Sequence, residues 1–185
     1  MEEKMLEGIK KECELCRKCP LAGTRTNLVF GVGNPRAKLM FVGEAPGEQE
    51  DLQGEPFVGA AGKLFDKYLA AVGIPREEVY IANILKCRPP KNRDPLPEEQ
   101  DACLDHLRAQ VKAIKPKMIV CLGRISAMRL IKPDFKITRE HGQFVKKGAF
   151  DICAVYHPSA LLRDAAKKDE MLADMIMIKQ KYDEI

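Results

Sequence analysis

The chain has 185 residues, 45% of them hydrophobic and 31% charged, with a formal net charge of +4. That length suits one domain able to bury about 70% of its unfolded surface, and the composition excludes global disorder and a collagen-like chain. No run approaches the ~18 consecutive apolar residues of a membrane span, and Met1-Glu2-Glu3-Lys4 lacks the apolar segment of a secretory signal. So mild a positive charge does not by itself indicate nucleic acid; the expectation is a cytoplasmic protein without membrane attachment.

In chain order, Met5, Leu6 and Ile9 have helical spacing within residues 2–12. A cysteine-bearing segment, 13–19, follows, then a polar stretch with Gly and Pro from Thr24 to Pro35. Leu39-Met40-Phe41-Val42 is a short apolar run ending at Gly43 and reads as a buried strand. Leu64, Phe65, Tyr68, Leu69 and Val72 share one helix face, which Gly73 ends. Val79 to Ala82 is a second strand. Pro97 opens a helix with Cys103, Leu104, Leu107 and Val111 on it; proline suits the first helical position because no amide hydrogen is needed there. Met118 to Leu122 is a third strand, Ile125 to Ile131 a helix, Phe144-Val145 and Ile152 to Tyr156 further strands, and about 168–182 a closing helix. This alternation predicts an α/β fold, a three-layer α/β/α single domain over 1–185 with a central, mostly parallel sheet.

In such sheets ligands bind beyond the carboxyl ends of the strands. Those positions are polar here: Gly43-Glu44-Ala45-Pro46-Gly47 running on to Glu48, Glu50 and Asp51, then Asn83, Gly123-Arg124, and His157-Pro158-Ser159. The Gly43–Gly47 turn lacks the Lys-Ser/Thr of a phosphate loop and the dinucleotide fingerprint. No nucleophile-elbow serine and no His-Glu-x-x-His zinc motif occurs either.

The seven cysteines are Cys13, Cys16, Cys19, Cys87, Cys103, Cys121 and Cys153. An odd number in a reducing compartment argues for metal ligation over disulfides. By spacing alone, four thiolates suit zinc as well as iron, and the upstream pair is either Cys13/Cys16 or Cys16/Cys19. Cys121 and Cys153 fall inside strands and read as core residues.

Taken together, Gly43–Gly47 with Glu50-Asp51, Pro56-Phe57-Val58-Gly59, Asn83-Ile84-Leu85-Lys86-Cys87-Arg88-Pro89-Pro90 and His157-Pro158-Ser159-Ala160-Leu161-Leu162-Arg163 resemble the uracil-DNA glycosylase superfamily, and within it family 4, the iron–sulfur enzymes of bacteria and archaea. The resemblance covers about residues 13–165. It implies removal of uracil from DNA and a 4Fe-4S cluster held by four cysteines. Leu21, Arg25, Thr26, Phe30 and Gly31 put Cys16 and Cys19 in the family's register, so the implied ligands are Cys16, Cys19, Cys87 and Cys103, with Cys13 spare.

The resemblance also implies roles at the strand ends. Extruding a base costs a few kcal/mol, offset by stacking and edge hydrogen bonds in a pocket. Phe57 is the stacking candidate, and Asn83 the reader of the uracil edge, donating to O4 and accepting from N3–H. His157 is the donor to O2 as negative charge builds on the departing base. Ala45 stands where the best-known branch of the superfamily has a water-orienting Asp, and Gly47 where that branch has a thymine-excluding Tyr. Glu44 is therefore the candidate for water positioning, aided by the Ala45 backbone. Gly43, Gly47, Glu50 and Asn92 are supporting residues. Ser159, Leu161 and Arg163 are candidate DNA contacts, Leu161 as the wedge in the gap left by the flipped base and Leu162 as its core neighbour. Lys86, Arg88, Lys91 and Arg93 are candidate phosphate contacts. The expected partner is uracil-containing DNA, met by a monomer. The competing expectations are a non-catalytic iron–sulfur nucleic-acid-binding module and a glycosylase acting more broadly on deaminated bases such as hypoxanthine.

Overall fold

The computed structural model describes residues 1–185. Six strands, β1 (Val32–Gly33), β2 (Leu39–Gly43), β3 (Tyr80–Asn83), β4 (Met118–Leu122), β5 (Val145–Lys147) and β6 (Phe150–Val155), form one sheet in the order β1-β3-β2-β4-β6-β5. The four central strands are parallel and both edge strands antiparallel. The helices are α1 (Glu2–Glu14), α2 (Leu21–Thr24), α3 (Glu48–Gln53), α4 (Ala60–Ala71), α5 (Pro97–Ile114), α6 (Arg124–Leu130), α7 (Ile137–Glu140), α8 (Pro158–Arg163) and α9 (Lys168–Asp183).

Side chains alternate across each central strand and split the interior into two layers. Met40 and Val42, Ile119 and Cys121, and Ile152 and Ala154 face one layer with Leu6, Leu104 and Leu107 from α1 and α5. Leu39 and Phe41, Met118 and Val120, and Cys153 and Val155 face the other with Phe65, Leu69, Met171 and Met175 from α4 and α9. This is the expected three-layer arrangement. Cys121 and Cys153 are buried in opposite layers, as core residues should be.

Three elements depart from the expectation. The polar segment after β2 holds a short helix that the sequence reading does not assign: Glu48, Glu50 and Asp51 fill the first turn of α3, where carboxylates complement the helix dipole; Gly54, at φ 77°, ends it. β1 is only two residues long and lies in the Gly/Pro-containing stretch. α1 runs on through Glu14, which places Cys13 on the buried face of a helix.

Parallel pairing aligns the strand ends that matter. Gly43 sits beside Asn83, Val42 beside Cys121, and Leu122 beside Val155. The ladder continues past the strands: the Ile84 and Leu85 amides donate to the Gly43 and Glu44 carbonyls at 3.0 Å each, and Gly123 N–H donates to Val155 O at 2.9 Å. Asn83, Glu44, Gly123 and His157 therefore follow one another, in that order, along a single sheet edge.

Candidate active site and cysteine pocket

At that edge lies a pocket whose walls include Glu44, Ala45, Gly47, Glu50, Phe57, Asn83, Asn92, His157, Ser159 and Arg163. These are ten of the residues singled out above. Gly43 lies directly beneath it. A Cβ there would stand 2.4 Å from Asn83 Oδ1 and 2.7 Å from Phe57 Cζ, so only glycine lets the amide and the ring approach across β2.

Asn83 is buried, and its Oδ1 has no hydrogen-bond partner. A buried acceptor left unmatched costs about 1–3 kcal/mol, so this atom is a standing invitation to a donor in the pocket. The Asn83 backbone is held from behind. Its carbonyl accepts from Lys86 Nζ at 3.0 Å, and the same ammonium donates to Gln110 Oε1 at 2.6 Å. Lys86 is only 1% exposed. It is an internal strut and not a phosphate contact, contrary to expectation: a lysine three residues after a strand end can turn back beneath the sheet edge when a carbonyl and a carboxamide wait there. Burial pulls its pKa down to about 8.

Phe57 occupies the left-handed region at φ 54°, which costs a non-glycine residue about 1–3 kcal/mol unless its surroundings impose it. They do. Glu50 Oε1 accepts from the Val58 and Gly59 amides at 3.3 and 3.2 Å, and Arg76 donates to the Pro56 and Phe57 carbonyls at 2.8 and 3.2 Å. Gly62 leaves room for the Phe57 carbonyl, 2.0 Å from where its Cβ would be. The Phe57 ring lies 5.6 Å from the His157 ring, tilted by 32°. Glu50 is thus a positioning residue for the ring. Gly47 leaves space for the same carboxylate, because a Cβ at that position would lie 2.9 Å from Glu50 Oε2.

His157 caps the start of α8, its Nδ1 accepting from the Ser159 amide at 3.1 Å with Ser159 Oγ at 2.7 Å. An amide can only donate, so Nδ1 is unprotonated and the ring proton is on Nε2. Burial, aided by the Arg163 guanidinium, pulls the pKa down to about 4. At neutral pH the ring is therefore an uncharged Nε2–H donor. Glu44 is pushed the other way, to about 7, by burial and by Asp94, with Arg124 and Arg163 opposing. Gly123, at φ 95°, keeps this corner open; its Cβ would stand 2.9 Å from His157 Cβ and 3.4 Å from Glu44 Oε2.

The other candidates divide. Asn92, at φ 57°, is fixed by Arg88 Nε donating to its Oδ1 at 2.7 Å. Arg93 pairs with Glu99 through both nitrogens, at 2.7 and 2.9 Å. Asp51 lies outside the pocket and binds the Thr26 and Asn27 amides instead. Leu161 and Leu162 stand opposite to the expectation: Leu161 is 0% exposed and packs in the layer of Phe65 and Tyr156, while Leu162 is 53% exposed. The helical turn of α8 points residue 161 inward and residue 162 outward. Leu161 is no wedge. His141 does not reach the pocket; it pairs with Asp174 at 2.6 Å and stacks on Tyr156.

A second pocket is lined by Cys13, Cys16, Cys19, Cys87 and Cys103, with Arg25, Lys86 and His106. It brings together the segment before α2, the loop after β3 and α5. No three His, Cys, Asp or Glu side chains are grouped as ligands of a single metal ion. Two sulfurs already receive hydrogen bonds: Arg25 Nη1 donates to Cys87 Sγ at 3.3 Å and the Lys86 amide to Cys103 Sγ at 3.4 Å. Burial pushes the Cys103 thiol up to about 11 and Cys13 to about 12. Thiols so buried ionise only against a strong positive charge such as a metal provides. Soft donors gathered in a pocket with N–H groups on the sulfurs fit a thiolate-ligated metal centre.

A model of the uracil DNA glycosylase superfamily matches residues 30–177. Type-4 uracil-DNA glycosylases from Archaeoglobus fulgidus, Thermotoga maritima and Sulfurisphaera tokodaii are 49%, 43% and 46% identical. These matches cover 91%, 90% and 85% of this chain and 89%, 88% and 76% of theirs. A type-5 enzyme from Pyrobaculum aerophilum is 33% identical over 70% of the chain and 64% of its own length. With Glu44, Phe57, Asn83 and His157 gathered at one sheet edge and a family match spanning most of its length, this chain belongs to the type-4 group of the uracil DNA glycosylase superfamily.

Proposed function

We infer that this protein excises uracil from DNA by hydrolysing its N-glycosidic bond, leaving an abasic site for repair. The observation that carries the reading is the unpartnered Asn83 Oδ1 facing a neutral His157 across one pocket. Uracil presents an N3–H donor to the first and an O2 acceptor to the second. Cytosine has no proton on N3 and so leaves Oδ1 unmatched, at a cost of about 1–3 kcal/mol.

The steps follow from the residues. The flipped base stacks on Phe57, and Asn83 reads its edge. As the glycosidic bond lengthens, electrons flow onto O2 and the sugar becomes electron-poor. Nε2–H of His157 donates to O2; the depressed pKa keeps it a hydrogen-bond donor without transferring a full proton. Glu44, as carboxylate, orients a water toward the sugar carbon and takes its proton. Ala45 and Gly47 give the pocket backbone where the best-known branch has an Asp and a Tyr. Leu162, on the exposed side of α8, takes the wedge role, with Ser159 and Arg163 beside it on the DNA.

The cysteine pocket supports a 4Fe-4S cluster on Cys16, Cys19, Cys87 and Cys103. When bound, such a cluster crosslinks the segment before α2, the loop after β3 and α5. Cys13, on the buried face of α1, is the remaining thiol.

The test uses purified protein and end-labelled oligonucleotides carrying one uracil, thymine, cytosine or hypoxanthine, single- and double-stranded, with alkali to reveal abasic sites. Cleavage at uracil, abolished by His157→Ala, is expected. Hypoxanthine cleaved as fast as uracil would replace this reading with a broader deaminated-base glycosylase. No cleavage by iron-loaded, folded protein would leave a binding module. Iron, sulfide and zinc analysis of the same preparation decides between a cluster and a zinc site.

A further inference from the structure

His106 lies on α5, one helical turn after Cys103, and lines the cysteine pocket beside Cys16, Cys19, Cys87 and Cys103. It is 8% exposed, and its Nε2 is buried without a partner. Only two side-chain polar atoms in the chain are in this state, and the other is the Asn83 acceptor of the base pocket. Buried ring nitrogens ordinarily find a partner, because leaving one unmatched costs about 1–3 kcal/mol. His106 also does nothing for the base pocket, whose walls it does not join.

We propose that His106 is a further residue of the metal centre, donating Nε2–H to a sulfur of the cluster or of its thiolates. The proposal rests on the cluster reading of this pocket. Two N–H···S bonds, from Arg25 and from the Lys86 amide, are already formed to Cys87 and Cys103; His106 supplies a third from the α5 side. Four thiolates and four sulfides concentrate negative charge in a buried place. Donors to those sulfurs spread that charge and favour the electron-richer state of the cluster, so they raise its reduction potential. The tautomer is then the one with its proton on Nε2. As a donor to sulfur, His106 leaves the four-cysteine ligand set intact.

The first measurement needs no variant. The chain has three histidines, and His141 and His157 lie elsewhere. Protein grown on 15N-histidine therefore reports on His106 alone when the cluster is brought to a paramagnetic state. Pulsed EPR is expected to show a weak 15N coupling, the signature of a hydrogen-bonded ring. A strong coupling would make His106 a direct ligand and overturn the donor role; no coupling would remove His106 from the centre. The second measurement compares His106→Phe with wild type. A shift of the midpoint potential to more negative values and faster bleaching of the cluster absorbance in air are expected, with iron content unchanged. An unaltered potential and bleaching rate would also overturn the proposal. Wild-type protein without iron would instead bring down the cluster reading on which the proposal rests.

Discussion

The base pocket and the cysteine pocket lie on either side of one short stretch, Asn83 to Cys87, yet they are built in opposite ways. The base pocket is held in shape by the chain itself, with one acceptor, Asn83 Oδ1, left without a partner. Phe57 is held by Glu50 and Arg76, His157 by Ser159, and Asn83 by Lys86, while Gly43, Gly62 and Gly123 make room. The cysteine pocket is left incomplete: its sulfurs hold only two side-chain or amide donors, and its histidine nitrogen has none. The first pocket is prepared for a transient guest. In the second, five thiols share one pocket with few partners of their own.

Substitutions should separate the two accordingly. The largest effect is expected for His157→Ala. Loss of the one neutral donor to the leaving base should lower kcat by about 10²–10³-fold, with stability lowered only by the lost α8 cap, about 0.5–2 kcal/mol; full activity in a single-turnover assay would sink the assignment. Gly43→Ala comes next. Its Cβ would intrude on Asn83 Oδ1 and the Phe57 ring, so excision should fall by at least tenfold, while iron content stays at the wild-type level. Cys87→Ser inverts that pattern. Iron should be lost, and thermal stability should drop along with activity, since three segments lose their common link; a variant as stable and active as the parent would show that the pocket needs no metal.

The remaining predictions sharpen the site itself. Burial and Asp94 push Glu44 up to about 7, and the proposed water-positioning role needs it ionised, whereas burial pulls His157 down to about 4. Single-turnover rates should therefore rise with pH through about 7 and level off, with no second inflection until near 4. Glu44→Gln should flatten that rise at a low rate. A profile unchanged by the substitution would remove Glu44 from water activation. The smallest effect on chemistry is expected at α8. Leu161→Ala should cost about 2–5 kcal/mol of stability as a core cavity, and Leu162→Ala should spare stability while weakening excision from duplex more than from single-stranded DNA.

How much of this the sequence shows depends on the kind of information involved. The central strands are legible as apolar runs, since parallel strands buried on both faces leave no room for polar alternation. The strand-end residues are legible from topology, which brings residues 44, 83 and 157 together whatever lies between them. Orientation within one helical turn is not. Leu161 and Leu162 are neighbours of the same type, and only the packing of α8 on the layer of Phe65 tells which faces inward. Lys86 is misread for a similar reason: its charge suggests the surface, but the Asn83 carbonyl and Gln110 accept it inside. His106 gives no signal beyond lying three positions after a cysteine. Phe57 is singled out from the sequence, but its left-handed backbone is not, although Gly62, which the Phe57 carbonyl approaches closely, hints at a backbone that needs room.

The hydrogen bonds that extend the ladder beyond β2 and β3, from Ile84 and Leu85 to Gly43 and Glu44, also bear on motion. They tie the start of the loop after β2 to the start of the loop after β3, which opposes independent movement of the two. Their amides should be among the slowest in the molecule to exchange with solvent. If these two loops move as one, the conformational search in the proposed reaction should fall mainly to the nucleic acid, which must turn out its base to reach them.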